Sequence, residues 1–228
     1  NGTNIGVSGI SQTGNPVSVA TNTYEICYKC HAENSWAPSP ALPRQLIQNN
    51  VRLEFDTSNP SYHPIAGPGN NSNVPSLISP LTTSSVIYCT DCHASNNAND
   101  PKGPHGSTFQ YLLKLQYTTA DNTPESPTAY ALCYSCHDRS NILNDSSFKE
   151  HDKHIRKENI SCSICHDSHG ISSTQGNSTN NSNLINFRTD VVFPENGQLR
   201  FVDTGNKRGY CLLKCHGEKH DSGMDYKP

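Results

Sequence analysis

Residues 162–170 read Cys162-Ser163-Ile164-Cys165-His166-Asp167-Ser168-His169-Gly170: two cysteines, a histidine directly after the second, and another histidine three positions on. Working outward, the C-x-x-C-H pattern returns as Cys27-Tyr-Lys-Cys30-His31, Cys89-Thr-Asp-Cys92-His93 and Cys133-Tyr-Ser-Cys136-His137. A fifth copy, Cys211-Leu-Leu-Lys-Cys215-His216, has one extra residue between its cysteines. All 10 cysteines are used. A zinc site pairs two C-x-x-C units without a histidine after each, and a disulfide framework imposes no histidine at all. A histidine after every second cysteine is the attachment signature of c-type haem. Two thiols add across the vinyl groups of one porphyrin edge, and the next residue lies under the iron as proximal ligand. The longer spacer of the fifth motif is expected to bulge while spanning the same edge.

Composition agrees with five covalent haem c groups. Of 228 residues only 32% are hydrophobic and 16% charged, so the chain is short of side chains for a conventional core. Five flat apolar macrocycles would supply one. The expected fold is therefore mostly irregular, with short α-helices and little β, organised by its haems. The formal net charge of -3 argues against a nucleic-acid partner. No apolar run is long enough to span a membrane. No basic-then-apolar leader opens the sequence, which reads as the mature form of an exported protein, extracellular or at the cell surface. The sequons beginning at Asn1, Asn70, Asn144, Asn159, Asn177 and Asn180 permit glycosylation.

Histidines complete the inventory. There are 11, against one methionine, Met224. Five follow cysteine pairs (His31, His93, His137, His166, His216), and His63, His105, His151, His154, His169 and His220 remain. Five irons with two axial histidines each need all but one of them. His169 lies just past an attachment turn, His105 sits in the tight turn Gly-Pro-His-Gly-Ser, and His63 is held extended by Pro64. His220 follows His216 by four residues. His151 and His154 share one face of an expected helix over 147–159. Of these two, His154 is expected to ligate, with His151 in support. Ligation by two histidines rather than His/Met favours low potentials. It also leaves no open iron position for a substrate, so the chain reads as an electron-transfer protein and not an enzyme.

These residues carry a family resemblance. The five motifs, the Gly-Pro-His-Gly-Ser turn, the His-x-x-His-Ile stretch before Cys162 and the terminal Cys-His-Gly-Glu-Lys-His-Asp make the whole chain similar to small multihaem cytochromes c. In particular it resembles the extracellular cytochromes that polymerise into haem-chain filaments, the cytochrome nanowires. The resemblance implies extracellular electron transfer, end-to-end self-association, and exchange with other redox proteins or extracellular acceptors. The alternative is a monomeric periplasmic shuttle. A multihaem reductase is disfavoured, because no C-x-x-C-K occurs.

No sequence repeat beyond the motifs stands out, so residues 1–228 are expected to form one pentahaem domain. Residues 1–22, which contain Ile5, Val7, Ile10, Val17 and Val19, are expected to be an extended and interfacial segment. Helices are expected at 24–31, 127–137 and 147–159, a strand at 108–117, and a β-hairpin of 186–193 with 198–203 turning at Asn196-Gly197.

Overall fold

The computed structural model of the chain describes residues 6–33, 42–101 and 103–223. Ile5, Lys102, Met224 and the Asn1 sequon lie outside them. The first motif ends the longest helix, α1 (Thr23–His31). Asn22 enters it extended, and the Glu25 carboxylate accepts from the backbone N–H of Asn22 (3.0 Å) and Thr21 (2.7 Å), which satisfies donors at the helix start. The other helices are about a turn long: α2 (Val51–Glu54), α3 (Cys89–Cys92), α4 (Ala131–Tyr134), α5 (Arg139–Leu143) and α6 (Cys162–Cys165). The expected helix at 147–159 narrows to a π-helical turn, Lys153–Lys157, preceded by helical His151 and Asp152.

The expectation of a mostly irregular, haem-organised chain with little β is overturned. Among the described residues eight strands form three antiparallel sheets. β1 (Gly9–Ile10) pairs with β2 (Pro16–Val17), and β3 (Ser61–Tyr62) pairs with β4 (Gly170–Ile171). The third sheet is four-stranded: β5 (Val192–Phe193), β6 (Arg200–Gly205), β7 (Arg208–Cys215) and β8 (Glu218–His220), with β7 bonded to all of the others. The signal was present but hidden by the motif. Gly209, Cys211, Leu213 and Cys215 alternate with residues on the other face, which is the period of a strand and not of an attachment helix.

Three smaller expectations also change. The N-terminal segment is not extended from Gly6 onward. It folds as the β1–β2 hairpin against α1, with Tyr28 Oη donating to Gln12 (3.0 Å), although Val7 and Val19 stay exposed. The Asn196-Gly197 turn forms, both residues having positive φ, and Glu195 and Gln198 exchange backbone hydrogen bonds across it. The hairpin stops there, because β5 and β6 pair separately with β7. Residues 108–117 are not a strand. Tyr111 and Leu112 take left-handed φ values of 59° and 54° in a 3-10 turn.

That turn exposes an internal repeat. Asn183 and Leu184 form the same left-handed pair 72 positions later. The proximal histidines pair alike, His93 with Leu113 and His166 with Ile185. The backbone N–H of Lys114 donates to Cys92 (2.9 Å), as that of Asn186 does to Cys165 (2.9 Å). With this geometry in view, the sequences align too: Tyr24-Glu-Ile-Cys27-Tyr28-Lys-Cys30-His31 with Tyr130-Ala-Leu-Cys133-Tyr134-Ser-Cys136-His137, and Ile87-Tyr-Cys89 with Ile160-Ser-Cys162. Motifs one and two thus correspond to motifs three and four.

The buried apolar side chains fall into three clusters, each joining consecutive motifs. Tyr28, Phe55 and Ile65 with Ile87 and Cys89 link the first and second. Tyr130, Leu143 and Ile155 with Cys162 link the third and fourth. Ile164, Val192, Phe201 and Leu213 with Cys165, Cys211 and Cys215 link the fourth and fifth. Between the second and third, segment 114–116 bridges by backbone: Lys114 donates to Cys92, and Gln116 accepts from Leu132 (3.0 Å).

Candidate functional site

The four regular motifs share one local geometry. In each, a short helix carries the first cysteine, and in the second, third and fourth the histidine N–H closes back on that cysteine's carbonyl at 2.8, 2.9 and 3.0 Å. Among the described residues no two cysteines are joined in a disulfide. The thiols of successive motifs meet. Cys27 and Cys89 lie close enough to perturb one another's ionisation, as do Cys133 and Cys162. Cys92 lies within electrostatic range of Cys136, and Cys165 of Cys215. The motifs therefore follow one another in space in the order of the sequence.

The imidazoles carry the strongest indication. Nδ1–H of His93 donates to the Tyr111 carbonyl (2.8 Å), that of His166 to Asn183 (2.8 Å), that of His63 to Ser168 (2.7 Å) and that of His154 to Glu150 (2.7 Å). A carbonyl only accepts, so the proton is on Nδ1, and a neutral ring then has its lone pair on Nε2. His169 Nδ1 meets the Glu54 carboxylate (2.9 Å), while His137 and His151 bond through Nδ1 to the hydroxyls of Ser76 (2.9 Å) and Ser147 (3.1 Å). Anchoring one nitrogen to orient the other is how metal-bound histidines are held. Burial, with neighbouring imidazoles, lowers His137 to about 4 and His151 to about 3, and burial also lowers His63, His93 and His166. All five are thus biased to the neutral, coordinating form. Burial presses hardest on His169 as well, but the charge and hydrogen bond of Glu54 together with the Asp167 charge outweigh it and raise the group.

The rings also face one another in pairs. Centroids are 6.2 Å apart for His93 and His169, 6.3 Å for His166 and His151, and 6.1 Å for His154 and His220. A metal–nitrogen bond of about 2 Å on each side, plus roughly 1 Å from nitrogen to ring centre, puts two trans imidazoles about 6 Å apart. His63 lies within electrostatic range of His137. Sheet β3–β4 sets this crossing, since His63 N–H donates to the His169 carbonyl (2.8 Å) just beyond it. The donor set of the four regular motifs therefore fits c-type haem, with cysteines carried on short helices, the histidines of the second, third and fourth anchored through Nδ1 and, for His93 and His166, a second imidazole opposite.

His151, expected only to support His154, lies opposite His166. Helical spacing put both histidines on one face and could not say that they serve different neighbours. Sequence reasoning also missed Arg44. Its buried guanidinium donates to the carbonyls of Ser163 (2.7 Å), Asn186 (2.7 Å) and His166 (2.9 Å), framing the fourth motif. No motif marks it in the stretch Leu42-Pro-Arg44-Gln-Leu-Ile47.

The fifth motif differs. Cys211 and Cys215 are on strand β7, four residues and about 13 Å apart at a rise of about 3.3 Å per residue, so in this conformation both thiols do not reach one porphyrin edge. His216 is turned to Asp121, its Nε2 at 2.9 and 3.1 Å from the two carboxylate oxygens.

Residues 10–179 match the family model described as outer membrane cytochrome MtrC/MtrF-like, domains II/IV. The match contains the first four motifs and ends before the fifth. No curated protein and no solved structure matches the chain. Among the described residues no helix is long and apolar enough to cross a membrane.

Proposed function

The chain belongs to the MtrC/MtrF-like outer membrane cytochromes, a family of c-type multihaem proteins that transfer electrons at the cell surface and are not enzymes, and on that premise we propose that it holds five haems in line as an electron conduit. Cys27/Cys30, Cys89/Cys92, Cys133/Cys136 and Cys162/Cys165 attach the first four in that order, and attachment of the fifth at Cys211/Cys215 requires that segment to leave its strand conformation. His31, His93, His137 and His166 are proximal ligands of the first four, with His169 opposite His93, His63 opposite His137 and His151 opposite His166. Each haem supplies a one-electron couple when bound. The chain fixes the spacing, biases five of the imidazoles to the neutral form and offers two imidazoles to each haem of the second, third and fourth motifs, so electrons pass and substrates do not bind there. The observation that carries this reading is the pairing of Nδ1-anchored imidazoles at ligand separation beside motifs in spatial sequence. Intact mass of the holo-protein should show five haem increments. His151→Ala and His169→Ala should each convert one haem from low to high spin in electron paramagnetic resonance, and an unchanged spectrum in either would break the assignment.

The finer reading is end-to-end polymerisation. His31 and His105 are exposed and, among the described residues, neither has a ring partner. His105-Gly106 follows the second motif as His169-Gly170 follows the fourth, at a different distance from it. His169 faces the proximal histidine two motifs back. His105, two motifs earlier in the repeat, has no such histidine in its own chain, and a second copy would supply one. This favours His105 as the intersubunit ligand over His63, whose ring is tied to Ser168. Wild type should form filaments under negative-stain microscopy, and His105→Ala should stay monomeric with one haem high-spin. A wild type that remains monomeric at high concentration supports the shuttle instead.

A further inference from the structure

We propose that Arg44 is a positioning residue for three haems at once, because the segment it grips, His166-Asp167-Ser168-His169, supplies or anchors an axial histidine of the second, the third and the fourth. The proposal rests on the conduit reading and deepens it by saying what keeps those ligands in step. His166 is the motif histidine of the fourth haem, and His169 lies opposite His93 at the second, with ring centroids 6.2 Å apart. Between them the Ser168 carbonyl accepts from Nδ1–H of His63 (2.7 Å), the imidazole assigned to the third. Four consecutive residues thus serve three haems, and a displacement of this segment reorients a ligand at each. Only after His166 does a second histidine follow three positions on: the same place holds Asn34, Asn96, Ser140 and Lys219 after the other motif histidines.

No regular element holds the segment, since α6 ends at Cys165 and the two-residue strand β4 begins only at Gly170. Arg44 holds it instead. One guanidinium nitrogen donates to the carbonyls of Ser163 and Asn186 (2.7 Å each), and the other to that of His166 (2.9 Å). Its Nε lies 3.7 Å from one carboxylate oxygen of Asp167, whose other oxygen accepts the backbone N–H of His169 (3.1 Å). The grip therefore runs from the carbonyl of one axial histidine to the N–H of the next, and the planar fork of arginine suits acceptors spread in this way. Arg44 is itself fixed. The Gln45 N–H donates to the Phe187 carbonyl (2.9 Å) and that of Thr189 to Pro43 (3.2 Å), on either side of the bridge between Arg44 and Arg188. At the far end a Cβ on Gly170 would run into the Glu54 carbonyl and Tyr62, so the segment closes directly on β3, whose next residue is His63.

The test uses the full-length holo-protein and reads ligand geometry apart from stability. The lowest-field g value of a ferric low-spin haem follows the angle between its two imidazole planes, so a rotated ligand moves the signal of its own haem. The signal lost in His169→Ala, His63→Ala or His151→Ala identifies the second, third or fourth haem. Arg44→Met removes charge and donors together. Arg44→Lys keeps the charge but offers one nitrogen where two reach three carbonyls. Both variants should keep the wild-type haem mass and shift all three identified signals, leaving the others in place. If Arg44→Met does not fold, Arg44→Lys alone decides. Shifts at fewer than three of the identified haems, or at every haem of the protein, overturn the proposal. The conduit reading fails separately, when the wild type itself shows no low-spin haem.

Discussion

The second and fourth motifs are near copies of one another, whereas the fifth, with nearly the same residues, is built differently. In the first two, a short helix is closed by a histidine N–H, and a left-handed two-residue turn brings a carbonyl to the imidazole: Tyr111 for His93, Asn183 for His166. In the fifth, two cysteines share one face of a strand and the following histidine points away. One inserted residue separates the two cases. With two residues between them, the cysteines sit on neighbouring turns of a helix. With three, cysteine, leucine and cysteine fall on the same side of a strand, and the apolar face so formed packs against Phe201 and Val192. Packing of the whole segment, not the motif, decides which geometry prevails.

The sharpest way to break this contrast is through Leu213, which is 3% exposed, and Leu212, which points the other way. Leu213→Ala should cost about 2–5 kcal/mol of stability and Leu212→Ala well under half of that. Equal losses in denaturant titrations would argue for a helical fifth motif. Next comes Arg44→Met, which strips donors from three carbonyls around the fourth motif and should destabilise by roughly 2–3 kcal/mol. A change below the error of the titration would show that the fourth motif holds its shape without this clamp.

Glu54→Gln probes the second motif. The carboxylate at His169 Nδ1 favours the more positive ferric state, so its neutral replacement should raise one midpoint potential. A loss of about 1 kcal/mol corresponds to about 40 mV for one electron. Spectroelectrochemistry showing no shift would remove Glu54 from the site. The smallest effect is expected at the first motif. Backbone N–H groups of Asn22 and Thr21 hold the Glu25 carboxyl below its ordinary value of 4.5, so its contribution is fully present above about pH 4.5 and fades as pH falls through the lower folded-state value. Glu25→Gln should lose about 0.5–1 kcal/mol at pH 7 and differ less from wild type near pH 3. A difference that grows on acidification would reverse the sign argued here.

Much of the candidate site was legible in the sequence because covalent haem attachment leaves a local signature. Five cysteine pairs, the histidines that follow them and the supply of further imidazoles are all matters of spacing and count. The fold was less legible. The low apolar content concealed that Tyr28, Tyr130, Ile164 and Leu213 are enough to seed three clusters when each joins two motifs. The repeat escaped notice because its halves share few residue identities outside the motifs, while the turns at Tyr111 and Asn183 match in φ rather than in residue type.

The sequence by itself determined the inventory: which cysteines are paired, which histidine follows each pair, and that imidazole rather than methionine is at hand. Tertiary structure alone decided partnership. His151 and His154 are three residues apart, yet one ring lies opposite His166 and the other opposite His220. His169 follows the fourth motif and lies opposite the second. Such pairings join residues distant along the chain, and they are set by sheet register and by which apolar faces close on one another. Neither is written in the spacing of any one segment, since a local pattern fixes a side chain's direction relative to its own backbone and the packing of remote segments fixes what stands in front of it.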